Sequence, residues 1–379
     1  MIRFTDEQLA IRAMVRDLAR EKIAPRAKEW DERGQFPDEL RRLLVEHELF
    51  VMYLPAALGG LGFDLTTQCL VLEEIAKVDG SAAVTLQDQG TSSHFLLTAC
   101  TPEQRQRLLP RIRAERLLVA FCLSEPGFGS DAGGLETRAW REGDEYVLRG
   151  QKTWVTNGGP AEWYIVFALT DPDKRTRGGI SAFLIERDTP GMQLGPPMKK
   201  MGLRASATVD LFLEGVRVPA AACLGAEGEG FTYGMKAFEA SRPQVATVAL
   251  GLAEGAYEYA LAYAKQRHAF GRPIADFQAI QFMLADMATQ IEAARLLVYQ
   301  ATRMYDDRLP DLTYHASLAK LFASDTAMRV TTDAVQILGG AGYVTEHPVE
   351  RMMRDAKVTQ IFEGTNQIQR LIIARHILK

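Results

Sequence analysis

The sequence predicts an α+β multidomain protein with an N-terminal α-helical domain, a central antiparallel β-barrel or sandwich domain and a C-terminal helix bundle. Apolar residues recur at helical spacing in the first and last thirds of the chain, whereas short β-branched and aromatic segments fill the middle. The length of 379 residues exceeds what one ordinary core requires. We expect the domains to span residues 1–117, 118–225 and 226–379.

The first third of the chain predicts a series of short helices. Thr5 and Gln8 have the spacing of a capping box, in which each side chain accepts a hydrogen bond from the other residue's backbone N–H. Prolines at positions 25, 37 and 55 separate the helical segments, and the glycine-rich stretch at 57–62 indicates a loop. The apolar residues after the capping box recur at helical spacing: Leu9, Met14, Val15 and Leu18.

The middle of the chain predicts strands that follow one another without intervening helices. Such an order indicates an antiparallel barrel or sandwich and argues against βαβ units. The predicted strand segments are Tyr146–Leu148, Trp154–Thr156, Trp163–Leu169, Ile180–Ile185 and Val209–Leu213.

The last third predicts a helix bundle. A second helix of this region spans about 315–338 and ends at Gly339, where glycine can adopt the left-handed conformation of a helix end. Thr365 is the expected N-cap of the final helix. The first long helix is indicated by an apolar stripe with alternating steps of four and three residues: Ile280, Leu284, Met287, Ile291, Ala294, Val298, Ala301 and Tyr305.

Composition excludes several classes of protein. The 44 Lys and Arg against 48 Asp and Glu give a net charge of −4, which argues against nucleic acid or an anionic membrane as the main partner. We expect no membrane-spanning segment and a cytoplasmic location, because no apolar run is long enough and the first residues resemble neither a signal nor a transit peptide. The four cysteines lie far apart and no histidines have metal-site spacing, so we expect no metal.

Three segments could bind a cofactor. Residues 124–131 nominally match a dinucleotide fingerprint, but the adjacent Gly133-Gly134 are poor helix starters, so we reject a Rossmann site. The loop is nevertheless rich in hydroxyl and backbone N–H groups that could hold a polar ring edge or a phosphate, although an ordinary tight loop would look the same.

In a strand, Trp154 and Thr156 would face the same side, so an indole and a hydroxyl could flank an aromatic cofactor. A Trp in the barrel core is the alternative explanation. Arg267, on a helix that we expect to end at Gly271, has a guanidinium suited to a phosphate, whereas Arg272 could simply be a solvated charge at the helix end.

Glu363 is the candidate for acid–base chemistry. It lies just before a predicted helix, between Phe362 and Gly364. A carboxylate against apolar walls has its charged form disfavoured and becomes a stronger base. The alternative is a carboxylate that merely interacts with the helix dipole. The surrounding residues 351–379 contain six basic and two acidic side chains, which suits an anionic ligand but also a solvated basic face.

Five motifs occur together in order: residues 124–131, 154–158, 267–271, 336–340 and 362–367. In this combination the chain closely resembles the acyl-CoA dehydrogenase family over essentially its whole length, and within it the short- and medium-chain enzymes. The resemblance implies an N-terminal helical domain, a central β-domain and a C-terminal four-helix bundle. It also implies an FAD flavoprotein of fatty acid or amino acid catabolism that is a homotetramer, arranged as a dimer of dimers.

The resemblance assigns roles to individual positions. Glu363 matches the catalytic base; some relatives place the base just before the arginine that matches Arg242, but Ser241 occupies that position here and cannot serve. The positions that match acyl-CoA contacts are Ser130, Glu239, Arg242, Gly364 and Arg375. The positions that match FAD contacts, several of them in a neighbouring subunit, are Phe121, Leu123, Ser124, Gly129, Ser130, Trp154, Thr156, Arg267, Phe270, Gln278, Gln336, Gly339, Gly340, Thr365 and Gln367.

The implied reaction is α,β-dehydrogenation of an acyl-CoA thioester. Glu363 would remove the α-proton while the β-hydrogen leaves as hydride to FAD, giving trans-2-enoyl-CoA, and an electron-transfer flavoprotein would accept the electrons. Residues 85–91 are more polar than a plain fatty-acyl pocket requires. The alternative is therefore the same fold acting on a branched, aryl or polar acyl thioester, including desulfination or oxidase chemistry; a non-catalytic flavoprotein is a further alternative.

Overall fold

A computed structural model describes residues 3–379. Its helices and strands follow the predicted order of helices, then a sheet, then helices, and the expected boundaries after residues 117 and 225 fall between elements. The helices are α1 (Asp6–Leu18), α2 (Ala24–Arg33), α3 (Asp38–Glu46), α4 (Leu65–Ala76), α5 (Gly80–Ala99), α6 (Pro102–Ala114), α7 (Gly230–Gln266), α8 (Gln278–Asp306), α9 (Leu312–Leu338), α10 (Gly340–Tyr343), α11 (Val349–Thr359) and α12 (Asn366–Ile377).

The N-terminal helices surround two central ones. The predicted capping box is present, because Thr5 Oγ1 accepts from the Gln8 N–H and Gln8 Oε1 accepts from the Thr5 N–H, each at 3.1 Å. Of the apolar residues predicted to follow it, Val15 and Leu18 are buried, whereas Leu9 and Met14 are exposed. Helices α4 and α5 are buried on nearly every side, as expected for helices in the middle of a core.

The central domain is a seven-stranded sheet with the order β1-β4-β2-β3-β7-β6, in which β5 also pairs with β4. The predicted short segments 146–148 and 154–156 belong to one strand, β3. Most pairs are antiparallel as predicted, but β1 and β2 each run parallel to β4. The strands are β1 (Val119–Cys122), β2 (Arg138–Glu142), β3 (Glu145–Thr156), β4 (Trp163–Leu169), β5 (Ile180–Glu186), β6 (Met192–Leu194) and β7 (Thr208–Pro219).

The C-terminal helices confirm the predicted stripe. Six of its eight residues are buried on α8, and Ile280 and Tyr305 at its ends are half-buried. Helix α9 ends at Leu338 as predicted. Gly339 follows with a positive φ of 62°, but its ψ of −134° differs from that of the predicted left-handed helical conformation. One prediction is wrong: α7 ends at Gln266, so Gly271 does not end a helix. Instead Phe270 and Gly271 form the turn of a small hairpin, β8 (His268–Ala269) and β9 (Arg272–Pro273).

Helix α5 connects the two hydrophobic cores of the molecule. Leu86 near its start belongs to the core formed by the N-terminal and C-terminal helices. Phe95 near its end belongs to the core of the β-domain. The middle of α5 therefore lies where the helical and β parts meet. No helix within residues 3–379 has the length and apolar character needed to cross a membrane.

Candidate active site

Glu363 lies in the short segment between α11 and α12. Its φ of 50° and the φ of 92° at Gly364 turn the chain sharply before α12 begins. A side chain at Gly364 would be strained at this φ, and its Cβ would lie 2.6 Å from Gln369 Nε2. Thr365 caps α12 as predicted, because its Oγ1 accepts from the Ile368 N–H at 3.3 Å. The turn thus fixes the direction of the Glu363 side chain.

Three side chains from two other helices hold the Glu363 carboxylate. Oε1 accepts hydrogen bonds from Gln87 Nε2 at 2.6 Å and Thr91 Oγ1 at 3.0 Å, both on α5. Oε2 accepts a hydrogen bond from the Ser241 hydroxyl on α7. The prediction of apolar walls around this carboxylate is therefore wrong, because the neighbours in sequence do not form its surroundings. These polar contacts orient the carboxyl group of Glu363 in a half-buried position.

The buried side chain of Lys320 binds the same turn through hydrogen bonds. Lys320 Nζ on α9 donates to the Gly364 carbonyl at 2.8 Å and to Asn366 Oδ1 at 3.0 Å. Burial lowers the pKa of Lys320 to about 8, against the opposing effect of the nearby Glu363 charge. Burying a positive charge is costly, and the hydrogen bond of Lys320 to the backbone carbonyl beside Glu363 offsets part of that cost.

The predicted acyl-CoA positions on α7 lie next to this carboxylate. Arg242 follows Ser241 directly and is buried, and burial lowers its pKa, although the charges of Glu363 and Glu239 oppose this. Glu239 accepts a hydrogen bond from Thr313 Oγ1 at 2.7 Å. It also lines an open cleft of about 760 Å³ together with His376 at the end of α12 and Lys379 beyond it. Arg375 is exposed on the same helix.

The end of β3 carries the predicted indole and hydroxyl. A register shift between Lys152 and Val155 interrupts the regular pairing with β7, and Trp154 has a φ of 58° within it. The Trp154 side chain is 64% exposed and Thr156 is half-buried, so Trp154 is not a core residue of the sheet. This excludes the alternative explanation and leaves a flat aromatic surface free for a ligand.

The loop at 124–130 rests on a buried ion pair. Lys152 Nζ lies 2.7 Å from Glu125 Oε1, and the two side chains are 0% and 6% exposed. Burial would raise the pKa of Glu125, but Lys152 and hydrogen bonds with Thr137 and Glu136 lower it. The backbone N–H groups of Glu136 and Thr137 both donate to this carboxylate. The loop glycines Gly127 and Gly129 have open space on their Cβ side.

The other predicted cofactor positions form two groups by exposure. Phe121, Leu123, Ser124 and Thr365 are buried or half-buried around the junction of the domains, whereas Gly129, Ser130 and Gln367 are exposed. Among the positions predicted to reach a neighbouring subunit, Ile337 and Leu338 within the stretch 336–340 are buried, and the others are exposed in the single chain: Arg267, Gln278, Gln336, Gly339 and Gly340. The predicted FAD position Phe270 is also exposed.

The comparisons with known proteins agree along the whole chain. Residues 5–116 match the N-terminal domain of acyl-CoA dehydrogenases, residues 120–216 the middle domain and residues 228–378 the C-terminal domain. A cyclohex-1-ene-1-carbonyl-CoA dehydrogenase of Geobacter metallireducens is 46% identical, with all of both chains covered.

Solved structures give the same result. The butyryl-CoA dehydrogenase of Megasphaera elsdenii has a TM-score of 0.96 and 41% identity, with all of both chains covered. A glutaryl-CoA dehydrogenase of Mycobacterium smegmatis in complex with FADH2 has a TM-score of 0.92 and 30% identity, covering 99% of this chain and 95% of that one.

The fold and these matches define a flavin-dependent oxidoreductase that acts on CH–CH donors. The chain belongs to the acyl-CoA dehydrogenase family, as the sequence motifs predicted. Its cofactor is FAD. The exposed indole of Trp154, the half-buried Thr156 hydroxyl and the open glycine loop fit the flat, polar-edged ring system of a flavin.

Proposed function

We propose that the protein converts an acyl-CoA thioester to the trans-2-enoyl-CoA, with Glu363 as the base that removes the α-proton. The observation that carries this proposal is the Glu363 carboxylate, held by Gln87, Thr91 and Ser241 where the helical domains meet the β-domain. A base fixed by three donors needs no reorientation before proton transfer, which supports catalysis by positioning.

The chain's own groups provide the remaining steps. The backbone N–H of Glu363 donates to no group within residues 3–379, so it is available to bind the thioester carbonyl and make the α-proton more acidic. Arg242, Glu239 and Arg375 would bind the CoA-bearing part of the substrate. Bound FAD would supply the acceptor for the β-hydrogen, which leaves as hydride. The residues assigned to FAD by the sequence motifs, among them Trp154 and Thr156, would hold it.

We further propose a homotetramer that passes its electrons to an electron-transfer flavoprotein. The exposure of Arg267, Phe270 and Gln278 in the single chain supports a role across a subunit boundary. Phe270 is 96% exposed, so its ring is accessible to a partner subunit or to a cofactor.

For the acyl group we propose a branched or cyclic substrate as a second candidate beside a plain alkyl chain. The relative from Geobacter metallireducens is named for a cyclic acyl group.

Anaerobic reduction of the bound flavin tests the proposed reaction. The purified protein should be yellow and should bleach when a suitable saturated acyl-CoA is added, and a panel of straight, branched and cyclic acyl-CoAs identifies the substrate. Hydrogen peroxide formation in air would indicate an oxidase instead. Glu363→Gln should bind FAD without bleaching, while the exposed control Glu346→Gln bleaches normally. Bleaching by Glu363→Gln would refute the role of this residue.

A further inference from the structure

Asp88 is a buried acid near the half-buried Glu363. Its side chain is 8% exposed, and its Oδ2 is enclosed without a hydrogen-bond donor. It lies on α5 directly after Gln87, which holds the Glu363 carboxylate. A buried carboxylate without a donor or a cation is costly, and no lysine or arginine within residues 3–379 offsets this one.

The Asp88 carboxyl group lies within hydrogen-bonding reach of the Asn157 side chain, which is fully buried just after β3. Asn157 Nδ2 donates to the Thr85 carbonyl at 2.9 Å. This bond fixes the orientation of the amide, because the flipped amide would set two oxygens against each other. Asn157 Oδ1 then has no donor of its own among the described residues.

Asp88 Oδ2 and Asn157 Oδ1 are therefore two enclosed acceptor oxygens without a hydrogen-bond donor. A single proton on Asp88 removes both deficits, since a carboxylic acid can donate where a carboxylate cannot. We propose that Asp88 is a positioning residue of the active site that keeps its proton at neutral pH and donates it in a hydrogen bond to Oδ1 of Asn157.

The electrostatics of the surroundings agree with this geometry. The titratable groups that face Asp88 are Glu363, Tyr53 and Cys122. Burial raises the pKa values of Tyr53 and Cys122, so both are neutral at physiological pH and offer no positive charge. Burial, and then the charge of Glu363, raise the pKa of Asp88 well above its ordinary value. An Asn157 amide that donated to an ionised Asp88 would lower this pKa, but Nδ2 is bound to the Thr85 carbonyl and the atom left without a partner is the acceptor Oδ1.

The hydrogen bond would join two parts of the site. Helix α5 carries Gln87 and Thr91, which hold Glu363, and Asn157 directly follows Thr156 at the proposed flavin surface. Asn157 would thus be bound to α5 twice, through Thr85 and through Asp88. This consequence for catalysis rests on the proposed function, whereas the protonation of Asp88 does not.

Thermal unfolding of the holoenzyme between pH 5 and pH 9 tests the protonation. Above the ordinary value of 3.8, the folded protein would hold a proton that the unfolded chain lacks, so wild-type stability should fall as pH rises. Asp88→Asn keeps a donor for Asn157 Oδ1 and needs no proton. Its melting temperature should therefore exceed the wild-type value by an amount that grows with pH, whereas the exposed control Asp173→Asn should show no such growth.

Asp88→Leu should melt below wild type at pH 5, because it leaves Asn157 Oδ1 unpaired. Infrared spectroscopy should find the carbonyl band of a protonated carboxylic acid at pH 7 in wild type and not in Asp88→Asn. A constant melting difference across pH, or no loss of the acid band in Asp88→Asn, would overturn the proposal.

Flavin bleaching separates this proposal from the proposed function. Ionisation of Asp88 at alkaline pH should slow wild-type bleaching, and Asp88→Asn should retain its rate there. If Glu363→Gln still bleaches, the role of Glu363 fails while the melting and infrared results for Asp88 stand. If Asp88→Asn loses its rate at alkaline pH as wild type does, the positioning role fails.

Discussion

Replacing Lys152 with methionine tests the support of the proposed flavin surface. The substitution keeps most of the buried side-chain length but leaves Glu125 without its cation in a site where the pair is almost fully enclosed. Breaking a buried ion pair from one side costs about 3–5 kcal/mol, because the remaining charge stays buried and unpaired. We expect the free energy of unfolding, measured in urea, to fall by an amount of this order.

The same substitution should weaken FAD binding. Glu125 belongs to the loop at 124–130 and anchors it through its contacts with Lys152 and with the backbone N–H groups of Glu136 and Thr137. Loss of the cation should loosen this loop, and dialysis should remove FAD from Lys152→Met faster than from wild type.

Two further variants make the Lys152 result interpretable. Lys152→Met combined with Glu125→Gln removes both charges and should recover part of the lost stability. Arg217→Met breaks the exposed pair with Glu142 on the same sheet and should leave stability nearly unchanged. If Lys152→Met is as stable as wild type, or if the double variant is no better than the single one, the reasoning about this buried pair is refuted.

Three other predictions concern the site. Burial lowers the pKa of Lys320 to about 8 from 10.5, so between these pH values the unfolded chain holds a proton that the folded chain lacks. In thermal melts, the stability of wild type relative to Lys320→Met should therefore increase as the pH rises from 8 to 10.5. Gly364→Ala should lose about 1–3 kcal/mol in urea unfolding through its φ of 92°, and should slow flavin bleaching, whereas an unchanged rate would contradict the role of this turn. Arg267→Ala should retain FAD less well on dialysis without a lower melting temperature of the apoprotein, because its side chain is exposed.

Local sequence signals predicted the elements that carry the site. The capping box at Thr5, the stripe on α8 and the cap at Thr365 each depend on residues a few positions apart, so spacing alone indicates them. The end of α7 was predicted wrongly, because Arg267 leaves the helix in an extended conformation, with a φ of −74° and a ψ of 122°, that its residue type does not indicate. The hairpin with its turn at Phe270 and Gly271 then follows.

The surroundings of Glu363 could not be predicted in the same way. Its donors Gln87, Thr91 and Ser241 lie 276, 272 and 122 residues away in sequence. The polarity of residues 85–91 was visible, but only the packing of α5 against the turn before α12 shows that two of these residues hold the base. Asn157 likewise reaches α5 only in the folded chain, where its Nδ2 donates to the carbonyl of Thr85, 72 residues away in sequence.

Exchange of the substrate's α-hydrogen with solvent tests most directly whether Glu363 is the base. An acyl-CoA that bleaches the flavin is incubated with the enzyme in D2O, and incorporation of deuterium at the α-carbon is followed by mass spectrometry. Wild type and the control Glu346→Gln should incorporate deuterium, and Glu363→Gln, loaded with FAD, should not. Incorporation at the wild-type rate by Glu363→Gln would contradict the proposed mechanism, because another group would then remove the α-proton.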